Sequence, residues 1–359
     1  MGNPFKFGTV VEEHFFTDRE EDLKKVLEVI NSNNHLILIS PRRYGKTSLI
    51  NKAVKQTGRP DIILNLQLIT SATDLAAELL KRLFKIYPQE KVKQQIKHFR
   101  FIPTLSVNPV TDTFDIAFMP TVSFKPILED VFQLIEQLGK RGKRPIIVLD
   151  EFQEIQKIDK NLDRILRAII QMQNNVNYVF MGSQESLMRE IFERKKSPFY
   201  HFGALQTLDV IPEKDFHSFL EQRFAMQVKH KSNIIAQKIL LFTRCHPYYT
   251  QQLAFHYWNA LQQDQHIALD EVIKSITLQH DIDFGRLWTT LNLTDRKLIL
   301  ELARKTQNSA VKKDLTIPTS TRYSSYKRLL TAGFLIDTPT GYQVEDPFFA
   351  KWLLEKRER

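Results

Sequence analysis

Ser40-Pro41-Arg42-Arg43-Tyr44-Gly45-Lys46-Thr47 lies between an apolar run, His35 to Ile39, and a helix-patterned run, Ser48 to Lys55. This octet constrains the fold more than any other feature of the chain. A loop that leaves a buried strand and enters a helix can curl its backbone N–H groups around a polyphosphate. It then needs a lysine for the terminal phosphates and a hydroxyl for Mg2+. Gly45, Lys46 and Thr47 supply those parts, while Ser40 stands where the usual pattern begins with glycine.

The second half of such a site is expected at the end of another strand. Ile146-Ile147-Val148-Leu149 runs into Asp150-Glu151. Four apolar residues ending in two acids read as a buried parallel strand whose first acid holds magnesium and whose second polarises water. Taken alone, the pair is better read as an ordinary buried strand with an acidic cap on the next helix. Together with the loop, it reads as a nucleotide site using ATP and Mg2+.

At 359 residues and 42% hydrophobic content, the chain is long enough for two or three domains with real cores. One cysteine, Cys245, excludes an internal disulfide and a clustered cysteine zinc site. The first residues, Met1-Gly2-Asn3-Pro4-Phe5-Lys6, carry no apolar signal, and no run approaches a membrane span. Cytoplasm is the expected location, with no membrane partner. The formal net charge of +10 suggests an anionic partner, and Leu291 to Arg359 holds thirteen Lys/Arg against eight Asp/Glu, half of that excess.

Alternating strand-like and helix-like runs predict an α/β fold: a parallel sheet in a three-layer sandwich. The first helix passes through Val26, Leu27 and Ile30, with Thr17 or Asp18 as its cap. Strands follow at Asp61 to Ile69, Ile146 to Leu149, Tyr178 to Met181 and Leu205 to Val210. A helix from Ser71 to Ile86 opens on Ser71 or Thr73, and Phe101 to Phe118 reads as a β-hairpin insertion. After Pro212, Glu213 to about His280 is helical, with Phe216, Phe219, Leu220 and Phe224 at helical spacing. Near the end, Thr294 caps a helix through Ala303 and Pro318-Thr319-Ser320 opens another to Leu330. Ala332 to Val344 then forms a hairpin around Thr338-Pro339-Thr340-Gly341. Helix, helix, hairpin is a winged-helix pattern. The expected division is a nucleotide-binding core over 1–212 with its hairpin at about 101–118, a helical lid over 213–285, and a winged helix over 286–359.

The chain resembles the AAA-type archaeal and bacterial ATPases of the STAND group, known as the archaeal ATPase or MNS family. The marks are Phe16-x-x-Arg19-Glu20, Pro41-Arg42-Arg43-x-Gly45-Lys46-Thr47-Ser48, Leu149-Asp150-Glu151-Phe152, Gly182-Ser183, His246-Pro247-Tyr248-Tyr249, and Asp346-Pro347-x-Phe349-x-x-Trp352-Leu353. The resemblance implies a nucleotide-controlled switch. Arg19 would line the adenine side, Ser40 to Ser48 would bind phosphate, and Thr47 with Asp150 would hold Mg2+. Lys46, Glu151 and Ser183 would serve hydrolysis, Ser183 matching the position called sensor 1. His246 and Pro247 would close over the nucleotide, with Cys245 where the family carries glycine. Phe202 stands about where relatives carry a finger arginine, so turnover is expected to be slow.

Several assignments have two readings. Arg42 and Arg43 either contact phosphate or cover the loop, and His246 either meets nucleotide or packs. Ser183 either contacts the nucleotide or caps a helix. Arg189 and Arg194 either replace the finger or form the solvated face of Glu185 to Lys196. Tyr248, Tyr249, Phe255, Tyr257 and Trp258 read as core. The winged helix reads either as a reader of double-stranded DNA, through Arg322, Tyr323, Ser325, Tyr326 and Lys327 with Lys312, Lys313 and Arg328 on phosphates, or as a clamp or protein contact. A regulator that keeps ATP as a structural ligand is the alternative to a hydrolase. A nucleic-acid kinase or helicase is disfavoured, since no second core is recognisable. A homo-oligomer is compatible with the class.

Overall fold

A computed structural model describes residues 2–9, 19–108, 113–119, 123–306, 318–338 and 340–357. The described chain packs as two compact bodies. One holds Arg19–Arg42 and Lys46–Asp209; the other holds residues 2–9, Arg43–Gly45 and the described residues from Val210 onward.

The first body is the α/β sheet expected from the alternation. Its elements are α1 (Glu20–Asn31), β1 (Leu36–Ile39), α2 (Lys46–Thr57), β2 (Asp61–Asn65), α3 (Ala72–Ile86), α4 (Gln89–Ile96), β3 (Thr104–Asn108), β4 (Thr113–Ala117), α5 (Lys125–Lys140), β5 (Ile146–Asp150), α6 (Ile155–Ile158), α7 (Leu162–Ile170), β6 (Asn177–Gly182), α8 (Glu185–Glu193) and β7 (Ala204–Thr207). Five strands pair in parallel in the order β2-β5-β6-β1-β7. Side chains alternate across the sheet. Ile37, Ile39, Ile62, Leu64, Ile147, Leu149, Tyr178 and Phe180 enter one cluster with α3, α5 and α7 residues such as Leu79, Val131 and Leu166. Their neighbours Leu36, Leu38, Ile146, Val148, Val179 and Met181 are also buried, as are Val26 and Ile30 of α1 and Leu49 and Ile50 of α2. Burial on both faces is why these strands read as continuous apolar runs.

The insertion is a separate antiparallel ribbon, β3 with β4, Thr104 opposite Ala117. Two expected strands prove shorter. β2 stops at Asn65, whose side chain accepts from Gln67 N–H and turns the chain into a 3-10 turn over Leu66–Leu68. β7 stops at Thr207, although Leu208 N–H still reaches the Ile39 carbonyl. α3 is capped by Ser71, which accepts from Asp74 N–H at 3.1 Å; Thr73 only shares a hydroxyl contact with it. α1 has Arg19 at its N-cap, without a side-chain cap; Thr17 and Asp18 lie outside the described residues.

The second body comprises α9 (Glu213–Val228), α10 (Ser232–Thr243), α11 (Pro247–Gln263), α12 (Leu269–Gln279), α13 (Asp281–Thr290), α14 (Leu293–Thr306), α15 (Thr319–Thr331), β8 (Leu335–Thr338), β9 (Gly341–Val344) and α16 (Pro347–Arg357). One core runs through it, from Phe216, Phe224 and Trp258 to Leu298, Leu329, Phe348 and Trp352, and Phe5 packs 5.0 Å from Phe224 and 5.9 Å from Trp258. β8 and β9 form the expected hairpin, Leu335 opposite Val344. α14 is capped by Asn292, which accepts from Asp295 N–H at 2.9 Å, rather than by Thr294. Among the described residues, no helix is long and apolar enough to cross a membrane.

Candidate functional site

Strand order assembles the site in the first body. β6 lies between β1 and β5, so Gly182-Ser183 emerges between the loop after β1 and the acids after β5. Ser40 N–H donates to the Gly182 carbonyl at 3.3 Å, tying the loop to the β6 end. Lys46, only 6% exposed, donates from Nζ to the carbonyls of Ser40 (3.1 Å) and Pro41 (3.2 Å). Burial pushes its ammonium pKa down, the charges of Glu151 and Asp150 push back, and Arg42 adds to the lowering. A lysine folded onto its own loop carbonyls holds donors that a phosphate can take over.

Thr47 Oγ1 lies 3.5 Å from Asp150 Oδ2, two oxygens of the type Mg2+ accepts. Burial raises the Asp150 pKa, and Glu151 adds to the rise. The Glu151 N–H, Lys46 and Thr47 oppose it. A cation seated between Thr47 and Asp150 would relieve that cost, so the donor set fits the ion.

Glu151 is the most constrained residue of the site. Its φ of 54° puts a non-glycine residue in the left-handed region, a strained conformation that the surroundings must hold. Ser183 Oγ donates to Glu151 Oε2 at 2.6 Å, and the Gln153 side-chain amide donates to the same oxygen. Oε2 is thereby engaged twice. The sequence reading missed Gln153, although its place two residues after Glu151 was the available signal. Gly182 makes room for it: a Cβ there would stand 2.5 Å from Gln153 Oε1 and 2.3 Å from Met188 Sδ.

Arg19, predicted beside adenine, is buried, pairs with Asp22 at 2.8 Å and donates to the Asp209 carbonyl at 2.7 Å. Arg42 is exposed. Phe202 packs 5.3 Å from Phe199, with Arg167 over its ring at 4.1 Å. Arg189 pairs with Glu185 and Glu193, and Arg194 with Glu190, along the face of α8. Those carboxylates hold both arginines in the solvated-face arrangement.

The second body carries the loop tip, Arg43–Gly45, within a polar cluster. Arg43 has φ 65° and Gly45 φ 88°. The Arg43 guanidinium lies 4.6 Å from the Tyr248 ring centre and 3.4 Å from Tyr249 Oη. Tyr249 Oη donates to Glu345 Oε2 at 2.7 Å, and His246 Nε2 lies 3.4 Å from Glu345 Oε1. Burial lowers the His246 pKa against the raising contact with Glu345. His246 Nδ1 accepts from Tyr248 N–H, capping α11, and Tyr44 packs edge-on against its ring at 4.9 Å. His246 thus packs against the loop and caps a helix. Arg244 donates to Gln343 Oε1 and to the Val344 and Glu345 carbonyls. Cys245 keeps φ at 57°, the region glycine favours, and burial pushes its thiol up to about 11. Of these, Tyr249 was expected only as core, and Arg244 and Glu345 were not singled out.

Toward the C-terminus, Arg322 forks onto both oxygens of Glu301 at 3.1 and 3.0 Å. Ser325 is fully buried and accepts from Arg328, which also holds Asp295, and the Tyr326 ring packs tilted against Tyr342 with centroids 4.4 Å apart. Tyr323 and Lys327 are exposed. Lys312 and Lys313 lie outside the described residues.

A family model described as an ATPase domain predominantly from Archaea matches residues 16–253, more than half of the chain. The chain belongs to this archaeal ATPase-domain family. An uncharacterized ATP-binding protein of Pyrococcus abyssi is 27% identical over 193 residues, covering 49% of this chain and 56% of its own length. An uncharacterized protein of Methanocaldococcus jannaschii is 24% identical over 294 residues, covering 80% and 53%. The chain spans little more than half the length of these relatives. Among solved structures, a Walker-type ATPase of Pyrococcus abyssi superposes with TM-score 0.64 at 17% identity, covering 95% of this chain and 97% of that one. The ORC2 protein of Aeropyrum pernix, in ADPNP and ADP complexes, gives TM-score 0.54 at 14% identity over 99% and 100%. These likenesses show the fold of the archaeal ATPase domain, a P-loop α/β sheet.

Proposed function

We propose that the chain is a Mg2+-dependent ATP-binding and hydrolysing switch of the AAA/STAND kind, slow as an isolated monomer, whose nucleotide state governs its C-terminal part. The observation that carries this reading is the double hydrogen bond from Ser183 and Gln153 to Glu151 Oε2. It fixes the carboxylate and leaves Oε1 to accept a proton of an attacking water. Lys46 exchanges its loop carbonyls for phosphate oxygens as it binds, at the start of α2 where backbone N–H groups are free to donate. Thr47 and Asp150 would hold Mg2+, which when bound neutralises charge on the phosphates. Phe202 at the expected finger position, with Arg189 and Arg194 tied to carboxylates, supports slow turnover in the monomer.

Glu151→Gln tests it. Steady-state hydrolysis is expected to fall roughly 100-fold or more, as for loss of a positioned base, while ATP binding persists. Equal rates in the two proteins would instead make ATP a structural ligand of a regulator. For the C-terminal part we propose a lid over 213–285 and a winged helix over 286–359. The internal engagement of Arg322, Ser325 and Tyr326 favours a protein or intrachain contact over reading of double-stranded DNA.

A further inference from the structure

Arg43 and Tyr44 stand in the middle of the phosphate loop, yet both belong to the second body and pack within it. Tyr44 is 4% exposed and meets the His246 ring edge-on. Arg43 is exposed, keeps the left-handed φ of 65°, and points its guanidinium at the Tyr248 ring and the Tyr249 hydroxyl. That backbone conformation is strained for arginine, and the surrounding contacts must offset it. The grip on the guanidinium itself is light. The hydroxyl lies 3.4 Å away, long for a hydrogen bond, and among the described residues no carboxylate comes within ion-pair distance of Arg43.

On its other side Tyr249 is held firmly. Its ring is buried, and its hydroxyl donates to Glu345 Oε2 at 2.7 Å. Glu345 is fixed by its own backbone: its N–H donates to the Phe334 carbonyl at 3.0 Å, and its carbonyl accepts from Arg244. The same residue follows β9 and leads into α16, where Asp346 accepts from Phe348 and Phe349 N–H. One hydroxyl thus stands between the loop arginine and the β9–α16 segment, accepting from the first and donating to the second. Two hydrogen bonds in such a chain polarise and strengthen each other, so removing Arg43 weakens the hold on Glu345. Phosphate oxygens, being charged, bind a guanidinium more strongly than a neutral hydroxyl and a ring face do. Lys46 lies three residues further along the chain, so a polyphosphate bound there competes for Arg43 on favourable terms.

We propose that Arg43 is a relay between nucleotide and the β9–α16 segment: a polyphosphate draws its guanidinium off Tyr248 and Tyr249, and the Tyr249–Glu345 bond loses its support. The contact acts as a restraint on the loop. By linkage, whatever ATP loosens in the cluster is what the cluster subtracts from ATP affinity. This relay deepens the switch proposed above and rests on nucleotide binding at Lys46.

The test is calorimetric titration of ATP with Mg2+ into the full chain carrying Glu151→Gln, so that nucleotide is not consumed. Tyr249→Phe removes the hydroxyl that holds Arg43 and is expected to tighten ATP binding roughly three- to tenfold, the scale of one hydrogen bond. Arg43→Ala is expected to weaken ATP binding, and on that background Tyr249→Phe is expected to change nothing. Such non-additivity separates a relay from two independent effects. Glu345→Gln keeps an acceptor for Tyr249 but removes the charge behind it; it is expected to tighten ATP binding too, and it serves if Tyr249→Phe melts early. Unchanged affinity in both variants, or equal changes with and without Arg43, overturns the relay while ATP binding stands. A second readout follows the signal to its far end. Hydrogen exchange at the Glu345 and Phe348 amides is expected to quicken severalfold or more when ATP binds, and to keep its nucleotide-free rate in ATP-saturated Arg43→Ala. Exchange indifferent to ATP in the parent chain overturns transmission to α16. If the parent chain binds no ATP at all, it is the proposed function that fails, and the relay with it.

Discussion

The phosphate loop with its acidic partner strand and the cluster around Glu345 are both polar constellations, yet one can be read along the chain and the other cannot. In the first, function follows contiguous patterns: an apolar strand, a Gly-Lys-Thr turn, then an apolar strand ending in Asp150-Glu151. In the second, Tyr249 meets a carboxylate 96 positions away, and Arg244 meets carbonyls 100 and 101 positions away. A local motif announces itself because its neighbours in space are its neighbours in sequence. A network closed by tertiary folding has no such signature.

After Glu151→Gln, Ser183→Ala should have the largest effect on hydrolysis, because it removes one of two donors to Glu151. Hydrolysis is expected to drop roughly tenfold or more, with ATP affinity nearly unchanged, in steady-state kinetics. An unchanged rate would leave Ser183 a cap on α8 and weaken the first region's claim to be catalytic. In the second region, Tyr249→Phe leaves Glu345 Oε2 without its hydroxyl donor. A loss of about 2 kcal/mol in urea unfolding is expected. A neutral result would mean that the cluster is decoration.

Asp346 sharpens the comparison through pH. Burial, reinforced by Glu345, pushes its carboxyl from 3.8 up to about 7, while its Oδ1 accepts from Phe348 and Phe349 N–H at the start of α16. The folded chain favours the protonated form, so this contribution is full below the ordinary carboxylate value and is lost as pH rises through about 7. Asp346→Asn keeps an acceptor and should flatten the dependence, by on the order of 1–2 kcal/mol between pH 5 and 8, in melting curves compared across pH. The smallest effect belongs to Cys245→Gly, which relieves a left-handed residue. A gain of about 0.5–1 kcal/mol is expected, reduced by the greater freedom of unfolded glycine.

Legibility followed the same division. β1, the loop, α2, β5 and the hairpin insertion were readable because burial on two faces, or alternation, leaves a periodic trace. Strand ends were less so. β2 yields at Asn65, where a side-chain acceptor competes with the ladder, and α14 takes its cap from Asn292 because that carbonyl reaches Asp295 N–H. The left-handed conformations of Arg43, Glu151, Arg244 and Cys245 had no compositional cue, since composition points to glycine or asparagine for that region. Gln153 stood beside the acids in sequence, but only the fold turns its amide back onto Glu151.

Gly182 acts as a gauge block. With Met188 and Gln153 both pressed against the place where a methyl group would sit, the end of β6 has no slack on that side. The sheet, held by continuous pairing on either side of β6, is the stiffer part. Any added bulk would therefore be taken up by the movable side chains, and Gln153 would carry it to Glu151. The smallest residue in the site thus sets its tightest dimension, and an error there would appear in chemistry before it appeared in stability.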